Sequence, residues 1–203
     1  SGGGGRFDGG MLYYMPQTWT SDDTDAIERL MIQEGTSLVY PTSSMGSHVS
    51  AVPNHQVHRS TPLNTRGVVA MAGSFGYELD VTKMNEEEKE EVKKQVEFYK
   101  NIRSTVQFGD LYRLKSSFDS NEAAWMNLSK DGKEVVVSYV KKYAEANVIP
   151  RRLKVKALDE NSLYEVIETG EVFGGDELMY IGLEIGELMG DYQAKNWTLR
   201  KVD

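Results

Sequence analysis

Three aspartates, Asp22, Asp23 and Asp25, stand close together near the start of the chain. They follow the β-prone run Gln17-Thr18-Trp19-Thr20, and parallel barrel enzymes place catalytic groups where strands end. A carboxyl group in such a place can act as a general acid or base. The letters Ser-Asp-Asp-Thr before a helix are also typical of a plain capping sequence, with Ser21 or Asp22 as the N-cap. Spacing alone does not separate these two interpretations.

The glycine-rich opening, Ser1 to Gly5 followed by Arg6-Phe7-Asp8, is a second candidate for binding chemistry. Backbone amides without a Cβ can approach an anion or a neutral polyol closely. The run lacks the Lys-Ser/Thr ending of a P-loop and the spacing of a dinucleotide-binding loop. A flexible linker is the alternative interpretation of its first five residues.

The three histidines, His48, His55 and His58, fall in one polar stretch, Ser43 to Thr61, which we expect to be a loop. Their spacing matches no metal-ligand pattern on a helix, and no adjacent carboxylate completes a ligand set. Ser47 beside His48 is a poor nucleophile and base pair, because adjacent side chains rarely point at each other. The sequence therefore predicts no metal and no cofactor.

The composition limits the classes of partner. The 203 residues carry 23 Lys and Arg against 31 Asp and Glu, a formal net charge of -8, and they include no cysteine. An acidic surface repels polyphosphates, so we expect no nucleic acid partner and no anionic membrane. No apolar run approaches the roughly 20 residues of a membrane span, and the first residues form no secretion signal. We expect a soluble, cytoplasmic protein.

The pattern of the first half predicts alternating strands and helices. The predicted strands are 17–20, 37–41 and 73–78, and the predicted helices are 24–32, 63–71 and 85–106. Three parallel strands covered by helices make a poor core on their own. A closed (β/α)8 barrel has about 250 residues, so this half fits its last strand-helix units.

The second half has a different pattern, with short alternating runs separated by turns. The predicted strands are 123–128, 134–139, 152–156, 163–168 and 197–201, and Asp131-Gly132 is a hairpin signal. We expect an antiparallel β-sandwich here. The predicted domains are residues 1–108 and 109–203.

Longer strings of this sequence resemble a known family. They are Ser-Gly-Gly-Gly-Gly-Arg-Phe-Asp-Gly-Gly-Met-Leu-Tyr-Tyr at 1–14, Pro-Gln-Thr-Trp-Thr-Ser-Asp-Asp-Thr-Asp-Ala-Ile-Glu-Arg-Leu at 16–30, and Tyr-Pro-Thr-Ser-Ser-Met-Gly-Ser-His-Val-Ser at 40–50. Shorter matches follow, among them Val-Pro-Asn-His-Gln at 52–56 and Gly-Gly-Asp-Glu-Leu at 174–178. Together they resemble the bacterial α-galactosidases of glycoside hydrolase family 36.

The resemblance implies a fold and a chemistry. Residues 1–108 would be the C-terminal portion of a (β/α)8 catalytic barrel, and residues 109–203 a C-terminal antiparallel β domain. The family hydrolyses terminal α-galactose from raffinose- or melibiose-type sugars with retention, using two aspartates. Its acid/base maps onto Asp22, with Asp23 beside it. Its nucleophile lies in a Lys-Trp-Asp segment, and this chain contains no such string.

The resemblance also implies sugar contacts. The family has a Cys-x-x-Gly motif that lines the galactose subsite, and Gly3 matches its glycine, with Gly2 beside it. The matching cysteine would fall one position before Ser1. Trp19 stands close to Asp22, so it could stack on a sugar face, although core packing is the default role of a tryptophan.

Two rivals stay open at this point. One is a non-catalytic carbohydrate-binding remnant, and the other is an α-N-acetylgalactosaminidase or galactosyltransferase of the same family. The preferred interpretation is an α-galactosidase fragment that is inactive alone because it carries one aspartate of the pair. Its expected partners are α-galactoside oligosaccharides, and the complete enzyme is expected to be a homo-oligomer such as a tetramer.

Overall fold

The computed structural model describes residues 8–147 and 149–202, so Gly2 and Gly3 lie outside the described residues. The chain divides into two compact units between Arg103 and Ser104, within its longest helix. The first unit alternates helices with parallel strands, and the second is built mainly on antiparallel strands. The predicted succession of an α/β part and a β part is therefore confirmed.

Between residue 8 and Arg103, the first unit contains two strands, the helices that flank them and the first part of the long helix. In chain order these are α1 (Gly9–Tyr14), α2 (Ala26–Thr36), β1 (Gly46–Ser50), α3 (Leu63–Ala70), β2 (Ser74–Glu78) and α4 (Glu86–Phe108). Strands β1 and β2 run parallel, from the pair Gly46 and Ser74 to the pair Ser50 and Glu78. A parallel bridge joins Thr18 to Met45. Three parallel segments therefore lie side by side.

Two of the predicted strands in this unit need correction. Residues 37–41 form turns rather than a strand, and Leu38 and Val39 are 66% and 74% exposed. Residues 17–20 contribute only the bridge at Thr18. The true second strand is β1, inside the stretch that we expected to be a loop. Its sequence, Gly-Ser-His-Val-Ser, is mostly polar, so hydropathy gives no strand signal there although its last four residues are buried.

The three helices after α1 agree with the sequence pattern within a few residues. The first turn of α4 has a reciprocal cap: Asn85 accepts from the Glu88 amide at 2.9 Å, and the Glu88 carboxylate accepts from the Asn85 amide at 3.0 Å. The buried apolar side chains of α2, α3, β1 and their connections, together with two from α4, form the core of this unit: Ala26, Ile27, Leu30, Met45, Val49, Val68, Val69, Ala70, Met71, Tyr99 and Ile102.

The second unit is a six-stranded antiparallel sheet with a small second layer. Its elements are β3 (Asp110–Lys115), β4 (Glu122–Leu128), β5 (Glu134–Lys141), β6 (Arg152–Leu153), β7 (Leu163–Val166), β8 (Glu171–Gly174), α5 (Gly175–Tyr180), β9 (Leu183–Glu184) and β10 (Gln193–Val202). The sheet order is β3-β4-β5-β10-β7-β8, and β6 pairs with β9 apart from it.

One apolar core holds this unit together. Trp197, Tyr139 and Met126 of the large sheet pack with Leu153, Leu178 and other side chains of the two-stranded sheet, α5 and their connections. The predicted sandwich is thus smaller than expected on one side, because its second layer is a two-stranded ribbon and a short helix. The bounds 1–108 and 109–203, and their identity as barrel and sandwich domains, stay predictions.

Candidate active site

The carboxyl ends of the three parallel segments lie on one edge of the first unit, because parallel strands present the same ends side by side. The segment at Thr18 leads into the aspartate cluster, β1 leads into a polar loop, and β2 ends at Glu78. Asn54 of that loop is buried and donates to the Thr24 hydroxyl at 3.0 Å. The loop after β1 is therefore fastened to the start of α2, beside the aspartates.

The turn before the aspartates has an unusual backbone. Thr20 has a φ of 39°, a conformation that β-branched residues rarely adopt. The Ser21 amide donates to the Trp19 carbonyl across it, which closes a turn of γ type. The Thr20 hydroxyl is buried and has no hydrogen-bond partner among the described residues. Strain of this kind persists only where surrounding contacts fix the chain, and it is common at functional sites.

The three aspartates have different surroundings. Asp25 is buried and caps α2, because one carboxylate oxygen accepts from the Ile27 and Glu28 amides at 3.1 and 3.0 Å. It also pairs with Arg59. The predicted N-cap at Ser21 or Asp22 is therefore wrong, and the capping role belongs to Asp25.

Asp22 and Asp23 are not equivalent either. Asp23 accepts from the Asp25 amide at 3.0 Å, and its own amide donates to the Ser21 hydroxyl at 3.1 Å. Asp22 is exposed, and its carboxylate has no hydrogen-bond partner in the part of the chain that the structure describes. Of the cluster, Asp22 alone projects a carboxyl group that local structure does not use.

A buried arginine lies behind the turn. Arg29 is 1% exposed, and its guanidinium donates to the Ser21 carbonyl at 3.3 Å and to the Gly46 carbonyl at 2.8 Å. Its Nε donates to Gln33, which in turn donates to the Val69 carbonyl at 2.8 Å. Burial lowers the pKa of Arg29, and the nearby charges of Asp23 and Glu78 oppose that shift. The side chain joins the turn, β1, α2 and α3.

An aromatic stack lies next to Asp22. The rings of Trp19 and His48 are parallel within 2°, with centroids 4.0 Å apart, and Trp19 is 45% exposed. His48 is buried, and its Nε2 lies 3.0 Å from a Glu78 carboxylate oxygen, although not in hydrogen-bond geometry. Burial and the Arg29 charge lower the pKa of His48 to about 4. The imidazole is therefore neutral near pH 7.

A cavity of about 340 Å³ opens at this edge. It is lined by Met11, Met15, Gln17, Thr18, Trp19, Thr20, Ser21 and Asp22. A half-exposed indole beside a free carboxyl group is an arrangement suited to a sugar ring, because the ring stacks on the aromatic face while the acid reaches an oxygen.

Trp19 and Asp22 both line the cavity, whereas Asp23 is not among its lining residues. The roles predicted for these three residues stay predictions. Gly2 and Gly3 lie outside the described residues. His55 and His58 are exposed, and no group of three His, Asp or Glu side chains within residues 8–147 and 149–202 could hold a metal. No helix in those same ranges is long and apolar enough to cross a bilayer.

Sequence reasoning missed Arg29, His48 as the stacking partner of Trp19, and Glu78. Arg29 did leave a signal, because positions 26, 29, 30 and 33 form one stripe of α2 and all four are buried. A charged residue on an apolar stripe indicates a buried hydrogen-bonding role. His48 left no such signal, because strand β1, which contains it, was not predicted.

Parallel strands joined by helices, with a free carboxyl group and a cavity at their carboxyl edge, define the class of α/β units that form enzyme active sites. Comparison with known sequences gives the family within that class. The chain belongs to the Melibiase family, whose sequence model matches residues 1–109. A second model, described as the glycosyl hydrolase family 36 C-terminal domain, matches residues 122–199.

The chain is similar to characterised and solved proteins over its whole length. It is 59% identical over 202 residues to alpha-galactosidase AgaA of Geobacillus stearothermophilus and 54% identical over 203 residues to alpha-galactosidase Mel36A of Lactobacillus acidophilus. It covers 28% of each of these relatives.

Crystal structures of family 36 enzymes also match this chain over its whole length. A crystal structure of the Geobacillus stearothermophilus family 36 enzyme AgaA superposes with a TM-score of 0.95 at 59% identity, over 100% of this chain and 28% of that one. A variant of that enzyme in complex with raffinose superposes with a TM-score of 0.95 at 58% identity, with the same coverage.

Proposed function

We propose that this chain is the C-terminal part of a retaining α-galactosidase and that Asp22 is the acid/base of its active site. The observation that carries the proposal is the difference in hydrogen bonding among the three aspartates. Asp25 caps the helix, Asp23 braces the turn, and Asp22 is left free beside the cavity. Membership of the Melibiase family and similarity to alpha-galactosidases support the reaction class.

The chemistry assigns Asp22 two steps. A retaining glycosidase first breaks the glycosidic bond while a carboxylate attacks the anomeric carbon and an acid protonates the leaving oxygen. The same residue, now a carboxylate, then removes a proton from the water that hydrolyses the glycosyl-enzyme. Asp22 would serve as this acid and base. The attacking carboxylate would come from residues outside this chain, which has no Lys-Trp-Asp string.

The substrate class follows from the relatives and the site. A relative has been solved with raffinose, in which a galactose is α-linked to the rest of the sugar. Trp19 would stack on a sugar ring at the cavity, Asp23 would hold the turn and help bind the substrate, and Gly2 and Gly3 would line the galactose subsite. The sheet of the first unit would be the last part of a (β/α)8 barrel, which its parallel register and intervening helices support.

The test is an Asp22→Ala substitution in the full-length product of the gene. The kcat/KM of a retaining enzyme reports the first chemical step, so removal of the acid penalises substrates according to their leaving group. For raffinose we expect a loss of about 10²–10⁴-fold. For p-nitrophenyl α-galactoside, whose leaving group needs little protonation, we expect a loss below about tenfold.

Asp23→Ala is the matched control, because it removes a neighbouring carboxylate that already has a structural partner. It should lower kcat/KM on both substrates to a similar degree. Equal and small losses on both substrates for Asp22→Ala would overturn the proposal. Absence of α-galactosidase activity in the unsubstituted full-length product would favour a non-catalytic remnant instead. The expected homo-oligomer stays a prediction.

A further inference from the structure

We infer that Arg29 is the positioning residue for Asp22, holding the strained turn so that the carboxyl group meets the glycosidic oxygen. The inference rests on the proposed role of Asp22. Arg29 is almost fully buried and does not line the cavity, so it acts through the backbone rather than on the substrate.

The geometry of the guanidinium supports this role. It spans two main-chain carbonyls, that of Ser21 next to Asp22 and that of Gly46 at the start of β1. Gly46 is itself fixed to the Thr18 segment, because its amide donates to the Thr18 carbonyl at 2.9 Å. A planar group with several donors bonds both carbonyls at once, which an ammonium group does less well. The turn is thereby anchored to β1, the strand beside it.

The need for such an anchor lies in the turn itself. Thr20 has a positive φ and its buried hydroxyl has no partner among the described residues, so this side chain does not stabilise the turn. Three hydrogen bonds lie at the turn: the Ser21 amide donates to the Trp19 carbonyl, the Asp23 amide donates to the Ser21 hydroxyl, and Arg29 donates to the Ser21 carbonyl. Of these three, the bond from Arg29 comes from outside the turn, from helix α2. The stack of Trp19 on His48 is a further outside contact, from β1.

Charge favours an arginine at this position. Burial disfavours the charged form of Arg29, while the charges of Asp23 and Glu78 favour it. The guanidinium bonds the turn at Ser21 and the start of β1 at Gly46, so the two carboxylates favour a cation where these bonds are made.

The experiment compares Arg29→Lys with Asp22→Ala in the full-length gene product, using kcat/KM on raffinose and on p-nitrophenyl α-galactoside. Displacement of a catalytic group by about 1 Å can cost about 100-fold. We expect Arg29→Lys to lose about 100-fold on raffinose and less than about tenfold on the aryl galactoside. In the double variant Asp22→Ala with Arg29→Lys, the ratio of kcat/KM on raffinose to kcat/KM on the aryl galactoside should equal the ratio for Asp22→Ala alone.

Arg66→Lys is the matched control. Arg66 is a buried arginine that donates to the Thr61 and Ser50 carbonyls and makes no described contact with the turn. It should lower the melting temperature without changing the ratio between the two substrates. Arg29→Gln, which keeps a planar donor without the charge, is measured as a second variant. Because glutamine is shorter and has a single NH2 group, it cannot bond both carbonyls, and we expect its loss on raffinose to be at least as large as that of Arg29→Lys.

Two outcomes would overturn the inference. The first is an equal loss on both substrates in Arg29→Lys while Asp22→Ala shows the leaving-group effect, which would leave the proposed acid/base intact. The second is failure of both Arg29 variants to fold while Arg66→Lys folds, which would make Arg29 a folding residue. If Asp22→Ala itself shows no leaving-group effect, the proposed function fails, and that result is read independently of Arg29.

Discussion

His48 is the residue at the candidate site whose ionisation is most strongly tied to its surroundings. Its imidazole lies between the Trp19 indole and a Glu78 oxygen, and Arg29 adds a positive charge nearby. A proton on His48 would be buried and repelled by the Arg29 charge, and these two effects outweigh the attraction of the Glu78 carboxylate. The folded protein therefore keeps His48 neutral, and its pKa is lowered from 6.5 to about 4.

This shift predicts a loss of stability in acid. The unfolded chain binds the proton near pH 6.5, whereas the folded chain binds it only near pH 4, so the contribution is complete above about pH 6.5 and is lost as the pH falls towards 4. The free energy of unfolding falls by about 2–3 kcal/mol between pH 6.5 and pH 4. Chemical denaturation of the full-length protein at pH 7 and pH 4.5 measures it. His48→Gln should flatten the dependence and the exposed control His55→Gln should not; an unchanged slope in His48→Gln would contradict the assignment.

Sequence reasoning at the residue scale identified three aspartates before a helix but did not assign the contacts of each. One of them caps the helix and another has no partner among the described residues, and the sequence does not show which residue takes which role. Thr20 has a positive φ, and α2 begins at Ala26 with Asp25 as its N-cap, so Asp22 and Asp23 lie between the turn and the helix. No propensity for Ser, Asp or Thr contains that information.

At the scale of elements, the long helix and the hairpins were predictable, whereas the parallel strands were not. Apolar spacing identified α4, and alternation with turn signals identified β4 and β5. The run Ser37-Leu38-Val39-Tyr40 has the composition of a strand but lies exposed after α2, while β1 is polar and buried. In β1, tertiary contacts such as those of His48 with Trp19 replace the hydropathy signal.

The junction between α4 and β3 depends on a close backbone approach at Gly109. A Cβ there would lie 2.4 Å from the Thr105 carbonyl oxygen and 2.5 Å from that of Leu128, and neither backbone atom can move freely. We therefore expect Gly109→Ala to destabilise the protein by about 1–3 kcal/mol. A thermal melt of the full-length protein, compared with Gly9→Ala where a Cβ meets nothing within 4 Å, measures it. Equal melting temperatures for the two variants would show that the junction relaxes.

For the whole molecule, the sheet of the first unit is small for a parallel arrangement. Parallel sheets are normally covered on both faces, yet Trp19 is 45% exposed and Tyr13 and Tyr14 are 83% and 80% exposed. The chain spans 28% of the length of its relatives. On the proposed function, these surfaces would be covered by the rest of the enzyme.

This predicts that the 203-residue chain behaves differently from the full-length gene product. Alone it should associate or bind a hydrophobic dye such as ANS. On the proposed function it should not hydrolyse p-nitrophenyl α-galactoside, because the attacking carboxylate would lie outside this chain. Light scattering, dye fluorescence and activity measured on both proteins at equal concentration test it. A monomer with a sharp, reversible melt and no dye binding would contradict the association, and turnover by the short chain would place both catalytic groups within it.

The backbone at Thr20 has a consequence for how such a protein changes under selection. A β-branched residue at a φ of 39° costs about 1–3 kcal/mol, and glycine accepts that geometry without the steric cost. A screen that rewards only heat tolerance would therefore enrich glycine at this position, and the added freedom of the chain would loosen the loop before Asp22. A substitution at this one position would therefore raise thermal stability and lower turnover. Variants selected in the laboratory for heat tolerance should have their turnover measured at every round.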